Sequence, residues 1–156
     1  MLMLFSLSSC DINDPESWNE RKPQNFDEYM ERARSSLAQG KSEKAIQLYT
    51  DGMHEVEAMY GSQDPRIATA AEELGDLEDK LGKEAEAEAS YRKALAVLSK
   101  NLSPKSRDVI DVRKKLAAVL MKLYRSDEAK AVLAGASDQG KGSKAPRVRR
   151  HRRKSE

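Results

Sequence analysis

His54 followed by Glu55 opens the pattern in which two histidines one helical turn apart hold zinc while the glutamate activates a water, but the second histidine position holds Ala58. His151 is the only other histidine, so neither a multi-histidine metal site nor a histidine-bearing triad can be assembled from this chain alone. Glu84, Glu86 and Glu88 offer carboxylates in series. They alternate with Ala85, Ala87 and Ala89, however, and on a helix that alternation fans them around the axis instead of aiming two at one substrate. Glu88 meets Arg92 one turn later, a pairing worth about 0.2–0.5 kcal/mol on a solvated face. No glycine-rich loop that would cradle phosphate is present. The expectation is a non-enzymatic protein with no catalytic residue, no metal and no cofactor.

Composition points the same way. With 156 residues, 35% charged and 5% aromatic, the chain suits one domain of helices that share modest cores better than one large globular core. Leu, Ala, Glu, Lys and Arg dominate, while Gly and Pro fall mainly between periodic segments. The single cysteine, Cys10, excludes an intramolecular disulfide. No apolar run approaches the roughly 18 residues of a membrane-spanning helix. The net charge of +2 hides an asymmetry: residues 138–156 hold eight bases against Asp138 and Glu156, a net +6, which leaves −4 for everything before them.

The elements that would position any site come from internal repetition. Displacing the sequence by 42 residues brings three copies into register without a gap: Ala33 with Gly75 and Ala117, Gly40 with Gly82 and Tyr124, Ala45 with Ala87 and Ala129, Tyr49 with Tyr91 and Leu133. Small residues at the first and third of these positions let two antiparallel helices approach closely, and the glycine makes the turn between them. Tyr91 would then fill the space between its own pair and the next, with Ala94 and Leu95 on the same face. A period of this length also suits HEAT or armadillo helices, but the order small, Gly, Ala, Tyr resembles the tetratricopeptide repeat with a lengthened second helix. The lengthened form is similar to the repeats of kinesin light chains and their bacterial relatives, whose linker reads approximately Leu-Gly-Pro-Asp-His-Pro. Residues Tyr60 to Pro65 and Leu102 to Arg107 stand there in degenerate form.

That resemblance implies an all-α fold, a right-handed α-solenoid of three antiparallel helix pairs over residues 26–136, divided near 26–60, 66–101 and 106–136. Helices are expected near 26–39, 42–60, 66–81, 83–101, 106–123 and 126–135. The last is much shorter than its counterparts and no amphipathic capping helix follows. Val132 and Leu133 would therefore be partly uncovered, and the free protein would self-associate or dock a partner at this uncapped last repeat.

The resemblance also implies that the first helix of each pair lines a concave groove that holds a protein or peptide. Carried over by alignment, the groove positions are Met30, Arg34 and Leu37, then Glu72, Asp76, Asp79 and Lys80, then Lys114, Ala118, Met121 and Lys122. The charge changes sign along this face, which suits a peptide bearing both charges, or equally an ordinary solvated surface. Chaperone-binding relatives grip a carboxylate with paired asparagines and lysines; Arg34, Asp76 and Ala118 stand where asparagine would be needed, so that clamp is absent.

Both ends differ from the repeats. Residues 1–10 are apolar and finish in Leu7, Ser8, Ser9 and Cys10, which resembles the lipobox of bacterial lipoproteins. The resemblance implies removal of a signal peptide, lipidation of Cys10, a tether over residues 11–25 that includes Trp18, and a protein held on a bacterial cell membrane facing the periplasm or exterior. The alternative is an apolar N-terminus that covers the first repeat of a cytoplasmic protein. Residues 137–156 have the composition of a disordered basic tail. Its Arg147, Arg149, Arg150, Arg152, Arg153 and Lys154 are candidates for a polyanion: anionic lipid or cell-wall polymer if the protein is exported, and nucleic acid as the lesser choice because no aromatic residues are interleaved for base stacking. The leading function is a membrane-tethered protein-interaction scaffold; the alternative is a soluble cytoplasmic repeat protein whose tail binds nucleic acid.

Overall fold

The computed structural model describes residues 22–135, in which six helices follow one another with short turns between them: α1 (Phe26–Ala38), α2 (Ser42–Tyr60), α3 (Pro65–Lys80), α4 (Glu84–Asn101), α5 (Arg107–Lys122) and α6 (Ser126–Leu133). None of the described residues lies in a strand. The order is that of three helix pairs, α1 with α2, α3 with α4 and α5 with α6, stacked so that the second helix of one pair packs on the first of the next. No helix among the described residues is long and apolar enough to cross a membrane. Residues 1–10 with Cys10, Trp18 and most of the 11–25 tether, and the 137–156 tail, lie outside the described residues.

Local chemistry sets the helix ends. The first helix of each pair starts on a side-chain cap: Asn25 accepts the Glu28 N–H, Asp64 accepts the Arg66 N–H with Pro65 in the first turn, and Ser106 accepts the Val109 N–H. Register would begin α1 near Pro23, the counterpart of Pro65 and Arg107. It begins three residues later because Lys22 replaces the capping residue and a reciprocal cap forms downstream, with the Gln24 N–H donating to the Glu28 carboxylate. Within each pair the turn is the same. The N–H groups of Lys41, Lys83 and Arg125 reach back to the carbonyls of Ser36, Glu78 and Leu120, at 2.9, 2.9 and 2.8 Å. That closure needs a left-handed residue, supplied by Gly40 (φ 73°) and Gly82 (φ 71°), and in the third copy by Tyr124 (φ 59°). The Tyr124 side chain is 97% exposed, so no packing offsets the strain of that backbone.

The core is one continuous string through the three pairs, with Ala33, Tyr49, Val56, Ile67, Ala71, Ala87, Tyr91, Val112, Leu116 and Leu120 all buried. Its closest approach is Tyr91 on Gly75: a Cβ added to the glycine would sit 2.8 Å from the Tyr91 ring. The ring thus packs within its own pair, against α3, where the sequence reading placed it between pairs. In the first pair a second notch is filled from the other side. A Cβ on Gly52 would meet Tyr29 at 2.9 Å, whereas the corresponding stations of the second pair hold Ala94 and Ala71. The same space is filled once by a large residue against none, once by two small ones.

The third pair is truncated: α6 has eight residues where α2 has 19 and α4 has 18. Val132 is buried against the expectation that it would be uncovered, because it points back onto α5, while Leu133 is 53% exposed. Replacing Tyr124 with glycine is expected to stabilise the fold by about 0.5–1 kcal/mol, left-handed strain relieved less the extra backbone entropy of glycine. Thermal melting followed by circular dichroism reads this as a rise of a few degrees. Ala87→Arg, which forces a charge into a fully buried site between α3 and α4, should instead lower the melting temperature strongly.

Candidate protein-interaction surface

The face presented by the first helices is built from charges that bind neighbouring pairs to each other. Between the first and second pairs, Arg34 on α1 meets Glu73 on α3, with its Nε 3.0 Å from Glu73 Oε2, and the Tyr49 hydroxyl on α2 donates to the same oxygen at 3.0 Å. Between the second and third pairs the stations recur with signs reversed. Asp76 stands where Arg34 stood, Lys115 where Glu73 stood, and Lys115 Nζ lies 2.8 Å from Asp76. The Tyr91 hydroxyl again donates to the anion, now Asp76, at 2.8 Å. Lys115 also reaches Glu72 at 2.7 Å, and Lys122 meets Asp79 at 2.6 Å.

These arrangements leave their mark on the titrating groups. Burial pushes both tyrosine hydroxyls up, and the carboxylates that accept from them, Glu73 and Asp76, push further in the same direction. Burial disfavours the Lys115 ammonium, but hydrogen bonds from it to Asp76 and Glu72 outweigh that and raise its pKa. The pairs are partly solvated, so each contributes modestly to stability. Their geometric value lies in fixing how far one helix slides along the next.

The predicted groove residues therefore separate into three groups. Arg34, Glu72, Asp76, Asp79 and Lys122 join one pair to another. Met30 is 3% exposed and belongs to the core, so it cannot line a groove; α1 turns its thioether inward beside Tyr29 and Ala33. Leu37 is half-buried against the same core. Lys80, Lys114, Ala118 and Met121 face solvent, Met121 at 62%, with Lys114 near Asp111 on its own helix. The alignment could not separate positions that touch the next pair, or the core, from positions that touch solvent.

Elsewhere, His54 is exposed and joins Tyr29, Arg32, Leu48 and Glu55 around a cavity of about 620 Å³ lined by the first pair and the residues before it. Glu88 pairs with Arg92 as expected, and also with Arg125 at the start of α6, which carries Glu128 in turn. Among the described residues no cluster of histidine, cysteine and carboxylate side chains has the makings of a metal site. Sequence reasoning missed Glu78. It is buried on α3, accepts the Ser90 hydroxyl at 2.6 Å, and burial raises its pKa above the usual carboxylate value. Its aligned stations, Ser36 and Leu120, are both core positions and were the available signal.

No protein-family model and no curated protein sequence matches the chain. Among solved structures it is similar to the crystal structure of BtubC (BKLC) from P. vanneervenii, with a TM-score of 0.62 and 21% identity over 70% of this chain. The match spans 44% of that chain's length. The likeness establishes the fold: an all-helical repeat of tetratricopeptide type, like that of kinesin light chains.

Because Glu78 holds its proton more tightly when folded, its ionisation opposes folding. The stability this one group contributes is greatest below the ordinary glutamate pKa and falls as pH rises from there through the raised folded value. Glu78→Gln keeps an acceptor for Ser90 without the charge, so its melting temperature should exceed that of the wild type at pH 7 and converge with it near pH 4. A second measurement addresses the sign-reversed pair: Asp76→Lys and Lys115→Asp should each destabilise, and the double variant should recover most of the loss in a double-mutant cycle.

Proposed function

We propose that this chain is a non-enzymatic protein-interaction scaffold of the tetratricopeptide class that holds a protein or peptide along the face of its first helices. The observation that carries the reading is that face itself: inter-pair ion pairs hold α1, α3 and α5 in fixed offset, and Leu37, Lys80 and Met121 remain beside them as contact groups without a place in those pairs. The fold likeness to a kinesin-light-chain-type repeat protein supports it. A photo-crosslinking residue introduced at Lys80 should give protein adducts in cells, and one at Ser99, exposed on α4, should not. Equal adducts at both positions would remove the groove reading.

The same proposal puts the scaffold on a bacterial membrane as a lipoprotein, anchored through Cys10 and facing the periplasm or exterior. Its support is the apolar run that ends in Leu7, Ser8, Ser9 and Cys10. The basic tail from Arg147 to Lys154 would add electrostatic attraction to anionic lipid, about 1 kcal/mol for each base near the surface. The run of bases also admits the alternative, a cytoplasmic protein that binds nucleic acid, as the lesser choice because no aromatic residues are interleaved for base stacking. Cys10→Ala separates the two. In the lipoprotein reading it moves the protein from membrane to soluble fractions, or leaves an unprocessed precursor, with helical content unchanged, since helices α1 to α6 lie downstream of residue 10. A wild-type protein that is already soluble and retains Met1 by intact-mass measurement would overturn it.

A further inference from the structure

The two internal junctions act as a template for what the open end of the third pair accepts. In the junction between α3 and α5, the incoming helix sets Lys115 against Glu72 and Asp76, and seven residues later sets Lys122 against Asp79. The stations of Glu72, Asp76, Asp79 and Tyr91 recur in the third pair as Lys114, Ala118, Met121 and Leu133. All four are exposed. Where the internal junction presented three carboxylates and a hydroxyl, the end presents one cation and an apolar shelf.

We propose that this end is a docking site for an amphipathic helix of another protein, with an acid where α5 has Lys115 and an apolar residue where α5 has Lys122. The remaining contacts follow α5, whose Val112, Leu116 and Val119 are buried, so the ligand helix carries apolar residues three before the acid and one and four after it. The site continues an established interface: α6 offers Leu133 to the newcomer as α4 offers Tyr91 to the Asp76–Lys115 pair. Charge favours the same partner, because Lys114 takes an acid and residues 138–156 carry a net +6.

A second copy of the chain fits worse. Its α1 has Glu31 at the acid station and Ala38 seven residues on, but Glu28, Arg32 and Ser35 stand where Val112, Leu116 and Val119 are needed. Arg32 and Glu28 are moreover ion-paired to each other. Residues 137–143 contain no apolar side chain from which such a helix face could be built.

This inference deepens the scaffold reading but uses the end of the stack, and its test is independent of the groove. The probe is a fluorescent peptide of residues 105–124 carrying Lys115→Glu and Lys122→Leu, titrated with the full chain by anisotropy. It is expected to bind, with affinity lowered about tenfold by Leu133→Glu and by Lys114→Glu in the chain. A peptide with Lys122→Leu alone should bind weakly to the wild type and recover on the Lys114→Glu chain. Lys80→Glu, in the groove, should leave binding unchanged. Circular dichroism melting confirms that the variants fold. Equal binding of the two peptides, no binding of either, or indifference to Leu133→Glu overturns the proposal. So does sedimentation showing a dimer of the chain alone that Leu133→Glu abolishes, which would make a second copy the occupant.

Discussion

Everything in this molecule depends on a tyrosine seated against a residue with almost no side chain. Tyr91 lies on Gly75 so closely that one added carbon would collide with the ring, and this contact sets the distance between α3 and α4. The same side chain ends in a hydroxyl that donates to Asp76, the carboxylate that ties α3 to Lys115 of the next pair. One residue therefore fixes both the packing within a pair and the position of the next. Tyr49 does the same at the first junction through Glu73, with Ala33 in place of the glycine. Where Leu133 takes over at the third station, the hydroxyl is gone.

Using charge for stacking constrains what the exposed face has left for a partner. A repeat protein that recognises a peptide needs side chains whose hydrogen-bonding capacity is free, yet Arg34, Glu72, Asp76 and Asp79 already have partners across the junctions. A ligand that approached them would have to compete with an intramolecular pair or bridge to its solvated edge. The positions that carry no such commitment, Lys80 and Met121 among them, are fewer and more apolar than the alignment alone suggested. In the proposed scaffold, selectivity along this face would rest more on shape and apolar contact than on its abundant charge.

The repeat was legible because its signals are steric and local. Small residues at 33, 75 and 117, glycine at 40 and 82, and tyrosine at 49 and 91 each answer a requirement that no other residue type meets as well. The start of α1 agrees with the helix expected near 26–39, and the structure supplies its cause in the Asn25 and Glu28 cap. What could not be read is anything that depends on lateral offset between helices some 39 residues apart, such as Arg34 with Glu73. Periodicity gives the face a residue occupies but not which neighbour it leans toward. The sign reversal at stations 34 and 76, matched by the opposite reversal at 73 and 115, was a usable clue. Read as a pair of compensating changes, it identifies the junction; read singly, each is just another surface charge. Tyr124 was legible as well: its alignment with two glycines pointed to a left-handed backbone, which it adopts although its side chain resists it.

The brevity of α6 has a consequence for the timing of motion. In a linear stack each pair is held by its neighbours, so opening costs least where one neighbour is missing and the element is short. Eight residues secured by Ala129, Val132 and the Arg125–Glu88–Glu128 network are the weakest such unit, whereas α3 is clasped on both sides. Those differences in length and clasping imply a gradient of lifetimes along the chain, shortest in α6 and longest in α3 and α4. A partner that seats on the last pair closes the quickest door first, and its grip is felt as slower exchange in helices it never touches.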